Sequence, residues 1–371
     1  MAKKNKSYKP DWVPEDAGEA FATKVVKGVD MDNVVRKQKS GKKRQDLNID
    51  DYVNGVLKND RTILARTITL IESNSPVHND TAQKVLKQIL PNTGNSLRIG
   101  ITGFPGAGKS SLIETLGVYL ISQGHKVAVL AIDPSSTVTK GSILGDKTRM
   151  EKLSREENCF IRPSPSSGTL GGVARKTRET MLVCEAAGYD TILIETVGVG
   201  QSETTVRSMV DFFLLVMIAG AGDELQGIKK GVIELADSLL INKADGDNKP
   251  KALLAKSDFS MALHYIQPAT KGWQTEAHTC SALTGEGVKE FWEVVEKFRE
   301  VTKANGIFDE RRKTQSIEWM NKMIEDRLLS EFFNNESINK EFSIINKKVL
   351  NNEILPTEGA EQLLKLYKNL K

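Results

Sequence analysis

Between the apolar run SLRIGIT and the helix-like LIETLGVYLIS stands GFPGAGKSS, Gly103 to Ser111. Gly103, Gly108, Lys109 and Ser110 have the spacing of a phosphate-cradling turn, G-x-x-x-x-G-K-S. Glycines there let successive backbone N–H groups turn towards a phosphate oxygen, and the N-terminus of the following helix adds partial positive charge. Phe104, Pro105, Gly106, Ala107 and Ser111 complete the expected phosphate-binding stretch. Lys109 is expected to reach the β- and γ-phosphates, and the Ser110 hydroxyl to ligate Mg²⁺. Kinases, ATPases, GTPases and assembly chaperones all use such a turn, so the choice among them rests on other residues.

The base reader is expected in LLINKAD, a buried run that ends in Asn242, Lys243, Ala244 and Asp245. A carboxylate at Asp245 can accept from the N1–H and the exocyclic N2–H₂ of guanine together. Adenine lacks that donor pair and would leave the carboxylate unpaired. CSAL follows downstream, and the backbone of Ser281, Ala282 and Leu283 is expected to reach the guanine oxygen. The alternative is a polar strand end with no ligand, but this order of motifs favours GTP over ATP.

Metal ligands are sought among three acids. Asp133 closes VAVLAID before the turn-forming PSS, Asp146 lies in GSILGDKTR, and Glu195 closes DTILIE before TVGVGQSE. A hard divalent cation between phosphates takes oxygen ligands. These acids, with Ser110, form the expected set for Mg²⁺, and Glu195 and Asp133 join Lys109 as catalytic candidates. Which of them binds directly stays open, as does a plain surface role for each. Gly198 follows Glu195 at the spacing of a γ-phosphate sensor. Gln201 is either a water-positioning residue or a surface one.

The elements that must hold these residues read as follows. From residue 96, short β-branched runs alternate with helical stretches, and most runs are apolar on both faces, as in a buried parallel sheet. The expected fold is α/β, a doubly wound and mostly parallel sheet with helical extensions at both ends. Ligands of such sheets bind at the carboxyl ends of the strands. Four regions are expected: a mobile polar arm (1–46), a helical N-terminal extension (47–95), a nucleotide domain (96–308) and a helical C-terminal arm (309–371). In that last region Met320, Met323, Ile324, Leu328 and Phe332 share one stripe. It packs either on its own domain or against a second subunit.

The formal net charge is only +4 over 371 residues, and the charges are interspersed, which gives no reason to expect a nucleic-acid partner. The basic stretch Arg36 to Arg44 reads as a solvated segment. No apolar run approaches the ~20 residues of a membrane span. The first residues lack a secretory core, so a cytoplasmic protein is expected. The three cysteines are widely spaced and the four histidines form no ligand cluster, which predicts buried thiols and no transition-metal site.

Taken in order, GFPGAGKSS, AIDPSS, GSILGDKTRM, ETVGVGQSE, AGAGDELQGIKKGV, NKAD and CSAL closely resemble the MeaB family, bacterial relatives of the methylmalonic aciduria type A protein. The resemblance runs over about residues 50 to 370 and leaves out the N-terminal arm. It implies a homodimeric P-loop GTPase that binds GTP or GDP with Mg²⁺ and acts as a chaperone of methylmalonyl-CoA mutase, an adenosylcobalamin enzyme. There it would gate cofactor loading and help remove damaged cofactor. DPSS and GSILGDKTR would be the first nucleotide-sensing region and ETVGVGQSE the second. GAGDELQGIKKG, with Asp223, Glu224, Gln226, Lys229 and Lys230, would be a third mobile segment that relays the nucleotide state. An ordinary loop capping the next helix is the alternative for that segment. Two rival functions stand beside this reading: a kinase of a small acceptor, disfavoured by NKAD, and a nickel-delivery GTPase, disfavoured by the missing Cys/His set.

Overall fold

The computed structural model describes residues 47–132, 150–164, 170–196, 202–220 and 230–370. The chain divides between Asp46 and Leu47, and everything described lies in the second unit. Among the described residues, three α-helices precede the sheet: α1 (Ile49–Leu57), α2 (Arg61–Glu72) and α3 (Pro76–Ile89). Their starts follow local chemistry. Asn48 and Asp51 form a reciprocal capping box, and the Asp60 carboxylate accepts from the N–H groups of Thr62 and Ile63.

Among the described residues, seven strands follow: β1 (Leu97–Gly103), β2 (Val127–Ile132), β3 (Cys159–Ser164), β4 (Thr191–Thr196), β5 (Phe212–Ile218), β6 (Ser238–Asn242) and β7 (Glu276–Thr279). They pair in the order β3-β2-β4-β1-β5-β6-β7, and every pair is parallel. Helices α4 (Lys109–Ser122), α5 (Glu151–Ser154), α6 (Leu170–Ala186), α7 (Ser202–Arg207), α8 (Lys230–Ile233) and α9 (Lys249–His264) lie between them, and α10 (Val288–Ala304) follows β7. The expected α/β doubly wound sheet is therefore the fold. Both faces are covered, and the two-residue period shows how. Ala128, Leu130 and Ile132 of β2 belong to a core shared with Leu64, Ile68 and Val85 of α2 and α3. Val127 and Val129 belong to the opposite core, with Leu112 and Leu116 of α4 and Phe291 and Val295 of α10. Strands buried on both faces carry near-continuous apolar runs, which is why the runs did not alternate.

All carboxyl ends point to one edge of the sheet, and β1 sits at its centre. The amino edge carries a buried charge network. Asp211 accepts from both Arg312 Nε (2.8 Å) and Arg312 Nη2 (2.6 Å), and Asp237 accepts from Arg207 Nη1 (2.8 Å). Gln315 donates to the Val210 carbonyl at 2.8 Å. Arg312 and Gln315 belong to α11 (Ile307–Phe333), so this long helix is rooted on the edge away from the phosphate loop.

Beyond that root, α12 (Glu336–Leu350) and α13 (Pro356–Asn369) form a small cluster around Ile338, Ile345 and Leu363. Phe332, read from the sequence as part of the stripe, packs into this cluster beside Tyr367 at 5.2 Å between ring centres. Met320, Met323, Ile324 and Leu328 lie between 37% and 55% exposed, joined by Ile317.

Candidate nucleotide site

The loop 104–108 leaves the end of β1 and enters α4. Two of its glycines are fixed by close contacts. At Gly103 (φ 150°) a Cβ would stand 2.1 Å from the Val216 carbonyl oxygen of β5. At Gly108 (φ 83°), the N-cap of α4, it would stand 2.6 Å from Asn242 Nδ2. No side chain fits either place. Phe104 lies half-buried against two of the cores, Pro105 and Gly106 are exposed, and Ala107 is buried.

Lys109 is buried, and its Nζ donates to the carbonyls of Gly103 (2.8 Å) and Phe104 (3.0 Å), closing the loop upon itself. Burial lowers its pKa below the ordinary lysine value, opposed by the carboxylates of Glu195 and Glu203. Ser110 Oγ donates to Glu195 Oε1 at 2.8 Å. The register places Glu195 opposite Ile101 on β1, so these residues meet because β1 and β4 are neighbours. One residue on, Thr196 Oγ1 donates to Thr102 Oγ1 at 2.8 Å.

Asn242 braces two loops. Its Nδ2 donates to the Ala107 carbonyl at 2.8 Å, and its Oδ1 accepts from the Ala282 N–H at 3.0 Å. Asp245 Oδ1 accepts from Ser281 Oγ at 2.7 Å, while that Oγ accepts from the Thr284 N–H at 3.1 Å. Lys243 stands exposed in the left-handed region at φ 60°. A cleft of about 510 Å³ opens here, a volume suited to a small-molecule ligand. Lys243, Asp245, Ala282 and Leu283 line one wall, and Ser111, Glu114, Thr115 and Val118 of α4 line the other.

The structure thus brings the phosphate loop, Glu195, Asn242, Asp245 and Ser281 to the carboxyl edge of one sheet. Asp133, Asp146, Gly198, Gln201, Asp223, Glu224, Gln226 and Lys229 lie outside the described residues, and Lys230 opens α8. Sequence reasoning missed Glu114, Thr115 and Val118. The signal was present, because with Ser111 they follow the i, i+3, i+4, i+7 spacing of one helical face. It missed Lys152 on the rim too. Cys280, below the reader, is a buried thiol pushed up to about 12 by desolvation, so it is inert.

A doubly wound parallel sheet with a G-x-x-x-x-G-K-S loop after its central strand and Asn-Lys-x-Asp after β6 defines a P-loop GTPase, which binds guanine nucleotides. The sequence model of one family, described as methylmalonyl Co-A mutase-associated GTPase MeaB, matches residues 64–337. The chain belongs to that family. It is 51% identical over 321 residues to a putative GTPase of Caulobacter vibrioides, covering 86% of this chain and 98% of the relative. It is 43% identical over 331 residues to the mitochondrial methylmalonic aciduria type A homolog of Mus musculus, covering 86% and 80%. Among solved structures, a LAO/AO transport system kinase superposes with a TM-score of 0.70 at 40% identity, covering 86% of this chain and 97% of that one. Among the described residues, no helix is long and apolar enough to cross a membrane, and no group of His, Cys, Asp and Glu could hold a metal ion by itself.

Proposed function

We propose that this GTPase is Mg²⁺-dependent and serves an adenosylcobalamin-dependent mutase, methylmalonyl-CoA mutase or a close relative, by timing the loading of its cofactor and the removal of damaged cofactor. The observation that carries the nucleotide half is the Ser110–Glu195 hydrogen bond beside Lys109. A hydroxyl and a carboxylate, both hard oxygen donors, suit Mg²⁺, and Asp133 and Asp146 are the further candidate ligands. When bound, the ion supplies charge neutralisation between the β- and γ-phosphates.

The chain's own residues do the rest. Lys109 exchanges the Gly103 and Phe104 carbonyls for phosphate oxygens, and the loop N–H groups from Gly103 to Ser111 cradle the chain of phosphates. Asp245, held by Ser281, accepts from guanine. The Ser281 N–H is taken up by the Glu286 carbonyl and the Ala282 N–H by Asn242, which leaves the Leu283 N–H as the donor of that loop to the guanine oxygen. Asn242 serves as the brace that holds phosphate loop and reader loop in one frame.

The mutase half rests on the family, whose description names the mutase, and on the relative named for methylmalonic aciduria. No arginine finger is evident in the motifs, so hydrolysis by the chain alone is slow and the partner completes the site. The segment 220–230 would relay the nucleotide state, and three buried, unpaired thiols suit the cytoplasm. Mixing the chain with a purified adenosylcobalamin mutase should raise GTP turnover at least ~10-fold, well within what a completed site supplies. No stimulation and no co-elution on gel filtration would sink the mutase reading.

The region 309–371 is the proposed dimerisation arm. Ile317, Met320, Ile324 and Leu328 form an exposed apolar band on α11, and pairing of two such bands is the simplest cover for it. Ile324→Glu with Leu328→Glu should turn a dimer into a monomer that still binds GDP, because the root at Arg312 and Gln315 is untouched. Light scattering decides it, and a wild-type monomer would end the idea.

A further inference from the structure

Beyond Ser111, the outer wall of the cleft belongs to no motif. Ser111, Glu114, Thr115 and Val118 present one face of α4 to the space bordered opposite by Lys243, Asp245 and Leu283. Thr115 Oγ1 donates to the Ala282 carbonyl at 2.6 Å, so at its level α4 touches the reader loop. The helix therefore runs from the phosphate end of the cleft to the base end. Glu114 lies about 6 Å along the axis from Ser110, between the two. A nucleotide with its phosphates at Ser110 and its base at Asp245 has only its sugar left to place there.

The Glu114 carboxylate is prepared for such a neighbour. Oε1 accepts from the backbone N–H of Lys152, the second residue of α5, at 2.7 Å. That bond fixes the side chain, and Oε2 takes no hydrogen bond among the described residues. A fixed carboxylate is an acceptor without a donor of its own, the complement of the ribose hydroxyls.

We infer that Glu114 is a specificity-determining residue that accepts a hydrogen bond from the ribose 2′-hydroxyl, making the site selective for ribonucleotides over 2′-deoxyribonucleotides. The inference rests on the nucleotide reading above. A hydroxyl bonded to a carboxylate contributes more than a neutral pair, and its loss leaves the carboxylate facing a C–H group. Wild-type protein should bind GDP about 10-fold more tightly than 2′-deoxy-GDP, by the charged hydrogen bond that is lost.

Calorimetric titration of the full chain with both nucleotides tests this. In Glu114→Ala the ratio should fall to near one, with GDP weakened and 2′-deoxy-GDP bound no worse than by wild type. The preference for GDP over XDP should stay at the wild-type value, which a general loosening of the cleft would not allow. Glu114→Gln keeps the shape and one acceptor and should give an intermediate ratio; it carries the test if the alanine variant melts early. Equal binding of the two nucleotides by wild type, or an undiminished ratio in both variants, overturns the assignment of Glu114 alone. Failure of wild type to bind either nucleotide overturns the nucleotide reading and this inference with it.

Discussion

Lys109→Ala should all but abolish GTP hydrolysis and weaken GTP binding more than GDP binding. The side chain is buried, and its ammonium donates to the carbonyls of Gly103 and Phe104. Two carboxylates, Glu195 and Glu203, oppose the effect of burial on its charge. Removing the ammonium leaves those acids facing the phosphates uncompensated. Each further phosphate oxygen then meets net repulsion, and the γ-phosphate adds the most charge. A lost preorganised donor at a reacting group costs about 100–1000-fold in turnover. A lost charged hydrogen bond costs ~2 kcal/mol in binding, or roughly 30-fold for GTP. Fluorescence titration with GDP and GTP analogues measures the difference directly. Equal losses for the two nucleotides would restrict the lysine to the β-phosphate.

That prediction draws on residues a reader of the sequence can find, and the reason is physical. A phosphate cradle needs backbone N–H groups and left-handed turns, so its glycines recur at fixed spacing. A guanine reader needs an acid just past a buried strand. Glu195 was legible for the same reason, since it closes an apolar run that must be a central strand. Its hydrogen bond to Ser110 was not, because it depends on β4 lying beside β1 in the sheet order. The Arg312–Asp211 pair was out of reach for a like reason: 101 residues separate partners brought together only by α11 folding back to the amino edge. Glu114 failed differently. Its helical spacing with Ser111, Thr115 and Val118 was readable, but one acid on a helix face looks like any solvated residue until the cleft shows what that face borders.

Phe332 shows the limit of periodicity. Its spacing fits the exposed band of α11, yet it lies at the level where α12 and α13 return, and it is covered by Tyr367. A stripe read from one helix cannot show where along its length neighbours arrive. The band proposed to meet a second subunit is accordingly shorter, ending at Leu328 among the residues first read as one stripe.

Asp245→Asn should convert the proposed reader from guanine to xanthine. In the native protein the Ser281 hydroxyl gives its proton to Asp245 Oδ1, and Ser281 Oγ accepts from the Thr284 N–H. That second bond holds Ser281 as a donor towards residue 245. In the variant the amide oxygen must therefore occupy the Oδ1 position, where it keeps the serine, and the amide nitrogen takes the place of Oδ2. Guanine then brings its exocyclic N2–H₂ against an N–H₂ group, two donors with no acceptor between them. Xanthine carries a carbonyl oxygen at the same position and pairs with the amide. Losing a charged hydrogen-bond pair costs ~2–4 kcal/mol, or roughly 30- to 1000-fold in GTP affinity. XTP should gain over GTP by at least that factor. The fold should be indifferent to the change, since Asn keeps the bond to Ser281, so melting temperatures should agree within a few degrees. Competition between GTP and XTP for the variant measures the switch. A GTP preference that survives the substitution would remove Asp245 from the base-reading role and leave its carboxylate as a mere tether for Ser281.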